Sequence, residues 1–198
     1  MQVSSIYYTN LYFLITNITP PINDKSYREL KLEVQEASKK ELIFLCAGSL
    51  LWLFITFIWY FTNSPYHKSI YTFMIAGLML PLAFLGSKIF NTQWKLPSNH
   101  LQPLGLWLNF AQLAYFPILI FIFLISPEYF LMVYSIITGA HLFPYAWLYD
   151  EIAYAIIAIL ISVGSLFLKL YLPFEIIWII ALFTSISLLL LFFKIRKG

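Results

Sequence analysis

Polar side chains recur at helical spacing along one strongly apolar stretch, which ends in TGAHLFPYAWLYD at residues 138–150. Such a face is costly in a bilayer unless it meets other protein groups or a water-filled cavity. It predicts either a structural hydrogen-bonding face between helices or a small polar cavity for a solute, a lipid headgroup or a proton. A stripe that faces lipid is the third alternative. The residues that share this face, at steps of four, three, four and four, are Tyr134, Thr138, His141, Tyr145 and Tyr149.

Two amide side chains, Asn109 and Gln112, share one face of the preceding apolar run. The connection at residues 126–128 is too short for anything but an antiparallel hairpin. We therefore expect Gln112 to lie within hydrogen-bonding or one-water distance of His141. Asn109 and Tyr145 should extend this polar cluster toward the cytoplasm.

The remaining chemistry-bearing residues argue against a metal site or a hydrolase. His67, His100 and His141 fall in an outer connection, in an inner connection and within the bilayer, so they cannot share one ion. Cys46 is the only cysteine, which excludes an intramolecular disulfide and a cysteine-rich metal site. Because no carboxylate lies at the depth of His141, a nucleophile, base and acid triad is not predicted. The sequence predicts no metal and no cofactor.

The composition requires a membrane as the solvent for most of the chain. Of 198 residues, 61% are hydrophobic and only 11% are charged, against roughly 25% charged in soluble domains. The predicted fold is all-α, a polytopic bundle of six transmembrane helices preceded by a cytoplasmic amphipathic helix at residues 24–41. Residues 1–23 are predicted to be an N-terminal tail, and 194–198 a basic cytoplasmic tail. The six helices of the domain at residues 42–193 are predicted at 42–61, 69–90, 104–125, 129–148, 152–168 and 174–193.

Local signals refine these helices. Ser26 and Glu29 have the spacing of a capping box, which predicts a helix start, and Pro81, Pro117 and Pro144 should kink the runs that contain them. The first helix is interpreted as lying on the inner membrane surface, with a protein-docking role as the alternative. Its apolar positions at helical spacing are Tyr27, Leu30, Val34 and Ala37, whereas Lys31 is expected on the solvated face.

The distribution of basic residues predicts the orientation in the membrane. Ten Lys and Arg residues fall on the side that carries both termini, and only Lys68 and Lys169 fall on the other. Basic residues concentrate in cytoplasmic segments, so both termini are predicted to be cytoplasmic. This distribution indicates topology and argues against nucleic-acid binding. The ten are Lys25, Arg28, Lys31, Lys39, Lys40, Lys88, Lys95, Lys194, Arg196 and Lys197.

Four stretches resemble a known family: LEVQEASKKELIFLCAGSLLWLFI, GLMLPLAFL, NFAQLAYFPI and MVYSIITGAHLFPYAWLY. The sequence is similar to a family of small bacterial integral-membrane proteins that is known as a domain of unknown function. The similarity runs from about Ser26 to the last helix, and the fourth stretch is its most specific part. It implies a bacterial inner-membrane location and carries over no catalytic residues.

These observations favour a multi-pass inner-membrane protein without catalytic activity. Its role would be that of an accessory or protective protein, or of a small-solute permeation protein. The alternative is a membrane-embedded enzyme acting on a lipid or an isoprenoid-like substrate. Such an enzyme needs an acidic cluster near the membrane surface, for which the sequence offers Asp150 and Glu151. The expected partners are the lipid bilayer and a protein that docks on residues 24–41.

Overall fold

A computed structural model of the protein describes residues 26–90 and 99–197, which are helical and contain no strand. The predicted tail at residues 1–23 lies outside these residues. The α-helices are α1 (Tyr27–Ser38), α2 (Leu42–Phe61), α3 (Pro65–Ala76), α4 (Met79–Phe90), α5 (Gln102–Leu113), α6 (Phe116–Ile125), α7 (Phe130–Leu148), α8 (Ala153–Tyr171) and α9 (Ile179–Lys197). Short 3-10 turns at Lys39–Glu41, Pro127–Tyr129 and Phe174–Ile176 precede α2, α7 and α9.

Helix α1 begins with the capping box that the sequence predicts, because Ser26 and Glu29 exchange backbone and side-chain hydrogen bonds. Its buried face differs from the predicted one. Lys31 and Gln35 are buried beside Val34, whereas Tyr27 is exposed. The prediction that Lys31 is solvated was wrong, since the end of α7 supplies polar partners for this face: Lys31 donates to Asp150, and Gln35 donates to the carbonyl of Leu148 at 3.0 Å.

Five helices of the described chain are long and apolar enough to cross a membrane: Leu42–Phe61, Pro103–Ile125, Pro127–Leu148, Ala153–Tyr171 and Phe174–Lys197. The run at residues 69–90, predicted as one helix, is instead two helices of 12 residues, α3 and α4. The interruption at residues 77–78 follows from Pro81, which has no amide hydrogen to donate to residue 77. Pro117 explains the break between α5 and α6 in the same way, whereas Pro144 lies inside the continuous helix α7.

Helices α3 and α4 together run antiparallel to α2 along its length. In the second half of α3, Thr72 accepts a hydrogen bond at 3.0 Å from the indole of Trp59, near the end of α2. Farther on, a Cβ placed on Gly48 would lie 3.6 Å from Cε of Met79, and one on Gly86 would lie 2.7 Å from Cγ2 of Ile43. The contacts thus move toward the start of α2 as the chain moves through α3 and α4.

The best-packed region is formed by α2, α7, α8 and α9. The hydroxyl of Ser135 lies 2.6 Å from those of Ser165 and Thr184, so α7, α8 and α9 meet at one point. On the other side of α9, Ser49 and Ser185 each donate to the backbone carbonyl of the other, at 3.0 and 2.8 Å. These bonds satisfy hydroxyl groups that would otherwise be unpaired in hydrocarbon.

Helices α2 and α9 are antiparallel. Ser49, in the first half of α2, meets Ser185 near the middle of the last spanning segment, whereas the ring of Tyr60, at the end of α2, lies 5.5 Å from that of Trp178, near the start of that segment. By contrast, α5 and α6 are peripheral: only 6% of the most apolar part of Pro103–Ile125 is buried, against 56% for Leu42–Phe61.

The two ends of the bundle differ in their charged contacts. At one end, α1 packs beside the α7–α8 turn, and Asn99 donates to the carbonyl of Leu30 at 2.7 Å. At the other end, Lys68 and Lys169 lie 4.9 and 5.9 Å from the centre of the Phe174 ring. The two lysines that the sequence assigns to the outer side therefore share one end of the molecule.

We expect Gly139→Ala to destabilise the bundle by about 1–3 kcal/mol, because the added Cβ would lie 2.7 to 2.9 Å from Ser162 and Ile161 and would force α7 and α8 apart. Thermal unfolding in detergent measures the effect. Gly48→Ala is the matched control, since its Cβ would meet Leu188 and Met79 only at 3.5 and 3.6 Å. Equal melting temperatures for the two variants would contradict close packing at Gly139.

Candidate functional site

A cavity of about 620 Å³ lies between α2 and α7 and is also lined by residues of α3–α6. Its walls are mostly aliphatic and aromatic, with Trp52, Phe73 and Phe116 among them. Polar groups are concentrated along the face of α7 and around the first residues of α2. The polar lining residues are Glu41, Asn109, Gln112, Tyr134, Thr138, His141, Tyr145 and Tyr154. The cavity therefore combines one polar side with large apolar walls.

His141 meets Asn109, not Gln112. The Nε2 atom of His141 lies 3.4 Å from Oδ1 of Asn109, while the amide nitrogen of Asn109 donates to the carbonyl of Gly105 at 3.2 Å. Tyr145 donates to the same carbonyl at 3.3 Å. Helix α5 is thus shifted by about one turn from the predicted register. Gln112 lines the cavity but makes no hydrogen bond with His141.

The second ring nitrogen of His141 has no hydrogen-bond partner in the described part of the chain. This Nδ1 atom is buried. An unsatisfied buried nitrogen costs roughly 1–3 kcal/mol unless a ligand or water supplies the missing bond. Because His141 also lines the cavity, this atom is a candidate contact for a bound molecule.

The other residues of the predicted stripe have different environments. Thr138 donates to the carbonyl of Tyr134 at 2.9 Å, so its hydroxyl is used within α7. The ring of Tyr134 stacks on Trp52 with centres 5.0 Å apart, and both residues line the cavity. Tyr149 is buried beyond the cavity and donates to the carboxyl group of Glu41 at 3.1 Å. Tyr149 therefore contributes to the site only indirectly, through its hydrogen bond to Glu41.

Glu41 is the functional candidate that the sequence analysis did not identify. It closes the 3-10 turn before α2 with a left-handed backbone, φ 60°, and its side chain lines the cavity. Burial raises the pKa of this carboxyl to about 7, although the hydrogen bond from Tyr149 opposes the shift. The one sequence signal is a carboxylate immediately before an apolar run, which is also the pattern of an ordinary helix end.

Three tyrosine rings surround this carboxyl group. Tyr145 and Tyr149 stack with ring centres 5.6 Å apart, and Tyr154 lies 6.1 and 5.6 Å from them. Gly105 of α5 lies beside the group, since a Cβ there would be in ordinary contact with Oε1 of Glu41 at 3.8 Å. We use the term polar end for the group formed by Glu41, Asn109, His141, Tyr145 and Tyr154.

The electrostatic character of the cavity follows from its lining. Among the described residues that line it, Glu41 is the one strongly acidic group and there is no Lys or Arg. Nor do three His, Cys, Asp or Glu side chains converge anywhere in residues 26–90 and 99–197 in a way that could hold a metal ion. Asp150 lies outside the cavity lining, where the hydrogen bond from Lys31 holds the pKa of its carboxyl below the ordinary value.

The pH dependence of stability should report on Glu41. Its pKa is about 7 in the folded protein and 4.5 ordinarily, so the folded state binds the proton more tightly between these values. The free energy of unfolding should therefore fall as the pH rises from about 4.5 to 7, and level off above. Glu41→Gln should remove this slope and raise stability at pH 8 by on the order of 1–3 kcal/mol. Thermal unfolding in detergent across this range checks it, and parallel curves for the two proteins would contradict it.

One comparison with known proteins matches the same part of the chain as the family resemblance seen in the sequence. No curated protein and no solved structure matches the chain. Residues 27–197, most of the chain, match a family described as a family of unknown function, DUF7010. The match covers all nine described α-helices and every residue of the polar end. The chain therefore belongs to the family of unknown function DUF7010.

Proposed function

We propose that the protein is a multi-pass membrane protein of the bacterial inner membrane that binds an amphiphilic molecule in its cavity, without catalysing a reaction. The observation that supports this proposal is the shape and lining of the cavity. Ligand sites are typically apolar clefts of roughly 300–1,000 Å³ with a few polar groups that orient the ligand. A cavity of about 620 Å³ with one polar end fits a molecule with a compact polar group and an apolar chain.

The lining favours an amphiphile over a small hydrophilic solute. A permeating solute needs polar partners along its whole path, since each unpaired polar group in an apolar environment costs several kcal/mol. Here the polar groups cluster near Glu41 and α7, whereas α3, α4 and α6 contribute apolar side chains such as Phe73, Phe84 and Phe116. An accessory or protective role is compatible with this arrangement, because such a protein can bind or present a lipid-like molecule.

The acidic residues on which the enzymatic alternative depended are not among those that line the cavity. That alternative required Asp150 and Glu151 to act on a lipid or isoprenoid-like substrate. Asp150 is not among the residues that line the cavity, its side chain is 66% exposed, and it is paired with Lys31. Its arrangement suits closure of the polar end by α1 better than proton transfer to a buried substrate.

Six membrane crossings account for the helix directions. Helices α2 and α9 are antiparallel, which requires an even number of crossings from the first to the last. The five long helices alone would make α2 and α9 parallel. If α3 and α4 together form one broken crossing, as their contacts along the whole of α2 suggest, the total is six. The 24 residues of α3 and α4 are long enough for it at about 1.5 Å each.

The proposed orientation places α1 and the C-terminus in the cytoplasm. Lys31 lies at the α1 end, and Lys194, Arg196 and Lys197 lie in the last turn of α9 at the same end. The opposite end carries Lys68 and Lys169. This asymmetry matches the excess of basic residues in cytoplasmic segments.

Reporter fusions test this topology in a bacterial host. A fluorescent protein fused after Gly198 should be fluorescent, and a phosphatase that is active only outside the cytoplasm should be inactive there. The same pair of reporters attached before Met1 should give the same result, because six crossings return the chain to its starting side. Opposite results at the two termini would favour an odd number of crossings and would contradict the proposal.

Cavity filling tests the proposed function. The protein in lipid nanodiscs should be labelled by a photoreactive dodecanol analogue on residues that line the cavity, and Gly48→Leu should reduce this labelling by about tenfold, because Gly48 lines the cavity and tolerates an added Cβ. Peptide mapping by mass spectrometry locates the label. Ala140→Leu is the matched control, since Ala140 is exposed on the other side of α7. Labelling spread over the lipid-facing surface and unaffected by Gly48→Leu would refute a binding cavity.

A further inference from the structure

The polar end of the cavity carries one carboxyl group, that of Glu41, and no Lys or Arg side chain of the described part of the chain lines the cavity beside it. A buried carboxylate without a nearby cation is unfavourable, so it is satisfied either by a proton or by a positively charged ligand. We propose that the cavity binds amphiphiles whose polar group is a cation, that Glu41 is their counter-ion, and that a proton on Glu41 competes with the ligand. This inference rests on the proposed binding function.

The groups that face Glu41 support this assignment. Its carboxyl group receives a hydrogen bond from Tyr149 at 3.1 Å, and the phenols of Tyr145 and Tyr154 lie close enough to interact with its charge. Helix α8 also brings Glu151 toward Tyr154, which adds negative and not positive charge. Hydrophobic side chains of α2 line the cavity beside it, and the backbone of Gly105 lies nearby. Among the side chains that the structure describes, burial raises the pKa of Glu41 and the hydrogen bond from Tyr149 lowers it, and no basic group contributes to the shift.

The neighbouring aromatic rings suit a positive group. The rings of Tyr145 and Tyr154 border the cavity next to Glu41, and the faces of tyrosine rings attract cations. His141 and Asn109 add hydrogen-bonding atoms one turn deeper. An anionic headgroup would meet the acidic group and the π-faces without any compensating cation. The site should therefore discriminate against phosphate or sulfonate heads and admit ammonium heads.

The proton balance of binding is simple. At a pH where Glu41 is protonated, binding of the cation displaces one proton from the carboxyl group of Glu41 to solvent. The resulting carboxylate then pairs with the ligand. No bond other than the O–H bond of Glu41 breaks. Because the pKa of Glu41 is raised to about 7, the proton competes within the physiological range. Cation binding should therefore strengthen as the pH rises through about 7, and neutral amphiphiles should show no such dependence.

Two dodecyl compounds with permanent and opposite charges test the inference in lipid nanodiscs. Dodecyltrimethylammonium and dodecanesulfonate compete, below solubilising concentrations, with the photoreactive dodecanol analogue, and each variant is normalised to its labelling without competitor. For the native protein at pH 8, the ammonium should displace the label at a concentration at least about tenfold lower than the sulfonate. At pH 5.5, where Glu41 is protonated, this preference should shrink to less than about threefold. Because neither competitor titrates, the change would come from the protein.

Two variants isolate the role of Glu41, and a third variant serves as the control. Glu41→Gln keeps an oxygen for the Tyr149 hydroxyl but removes the charge, so the preference for the ammonium should fall to about one at both pH values. Tyr149→Phe removes the hydrogen bond that lowers the pKa of Glu41, so the pH midpoint of the preference should move upward. Glu175→Gln removes an exposed acid at the opposite end of the bundle, outside the cavity lining, and should leave the preference intact.

The outcomes separate the two proposals. Equal displacement by both ions in the native protein, or an unchanged preference in Glu41→Gln, overturns the cation site while the labelled cavity stands. A downward or absent shift of the midpoint in Tyr149→Phe overturns the competition between proton and ligand. If the dodecanol analogue does not label the cavity at all, the proposed function fails, and the cation site fails with it.

Discussion

Polar atoms placed in hydrocarbon must find partners within the protein, and this requirement organises the bundle. Its central example is the meeting of Ser135, Ser165 and Thr184, whose hydroxyls lie 2.6 Å apart at the crossing of α7, α8 and α9. Small side chains make the contact possible, because a Cβ on Gly139 or Gly164 would clash at 2.7 Å with the neighbouring helix. Three helices are thereby held in one arrangement, and α2 joins them through Ser49.

The same requirement explains why the other half of the molecule is open. Helices α5 and α6 offer few hydroxyls or small residues to the core, and α5 meets α7 where Gly105 and Asn109 lie beside Tyr145 and His141. The remaining space between α7 and the peripheral helices is the cavity. Its lining includes the Nδ1 atom of His141, which makes no hydrogen bond with the described residues, and the carboxyl group of Glu41, which accepts one from Tyr149. The packed half thus provides a rigid wall on which these groups are displayed.

Helix α1 closes the polar end of this wall. Asp150 turns the chain between α7 and α8 with a left-handed backbone, φ 50°, and the turn is held by Lys31 and Gln35 of α1. The 3-10 turn that follows α1 then directs Glu41 inward, where Tyr149 donates to it. The contact between α1 and the α7–α8 turn and the placement of the carboxyl group are therefore consequences of one local arrangement.

The amino-acid sequence determined the elements whose causes are local. The lengths of the apolar runs determined where most of the long helices lie. The spacing of Ser26 and Glu29 determined the start of α1. The steps between Tyr134 and Tyr149 determined that one face of α7 is polar. Proline chemistry predicted interruptions near Pro81 and Pro117 but not their extent: the interruption at residues 77–78 left two short helices in place of one predicted run.

Only the tertiary structure decided which distant groups meet. The register between α5 and α7 depends on the break before Pro117 and on the 3-10 turn at Pro127–Tyr129. A count of residues per helical turn includes neither feature. It therefore paired His141 with Gln112, one turn along α5 from its actual partner, Asn109. The burial of Lys31 and Glu41 depends on partners more than 100 residues away, Asp150 and Tyr149. Periodicity shows which residues share a face, but the energy of burying a charge depends on what the opposing helix presents to it.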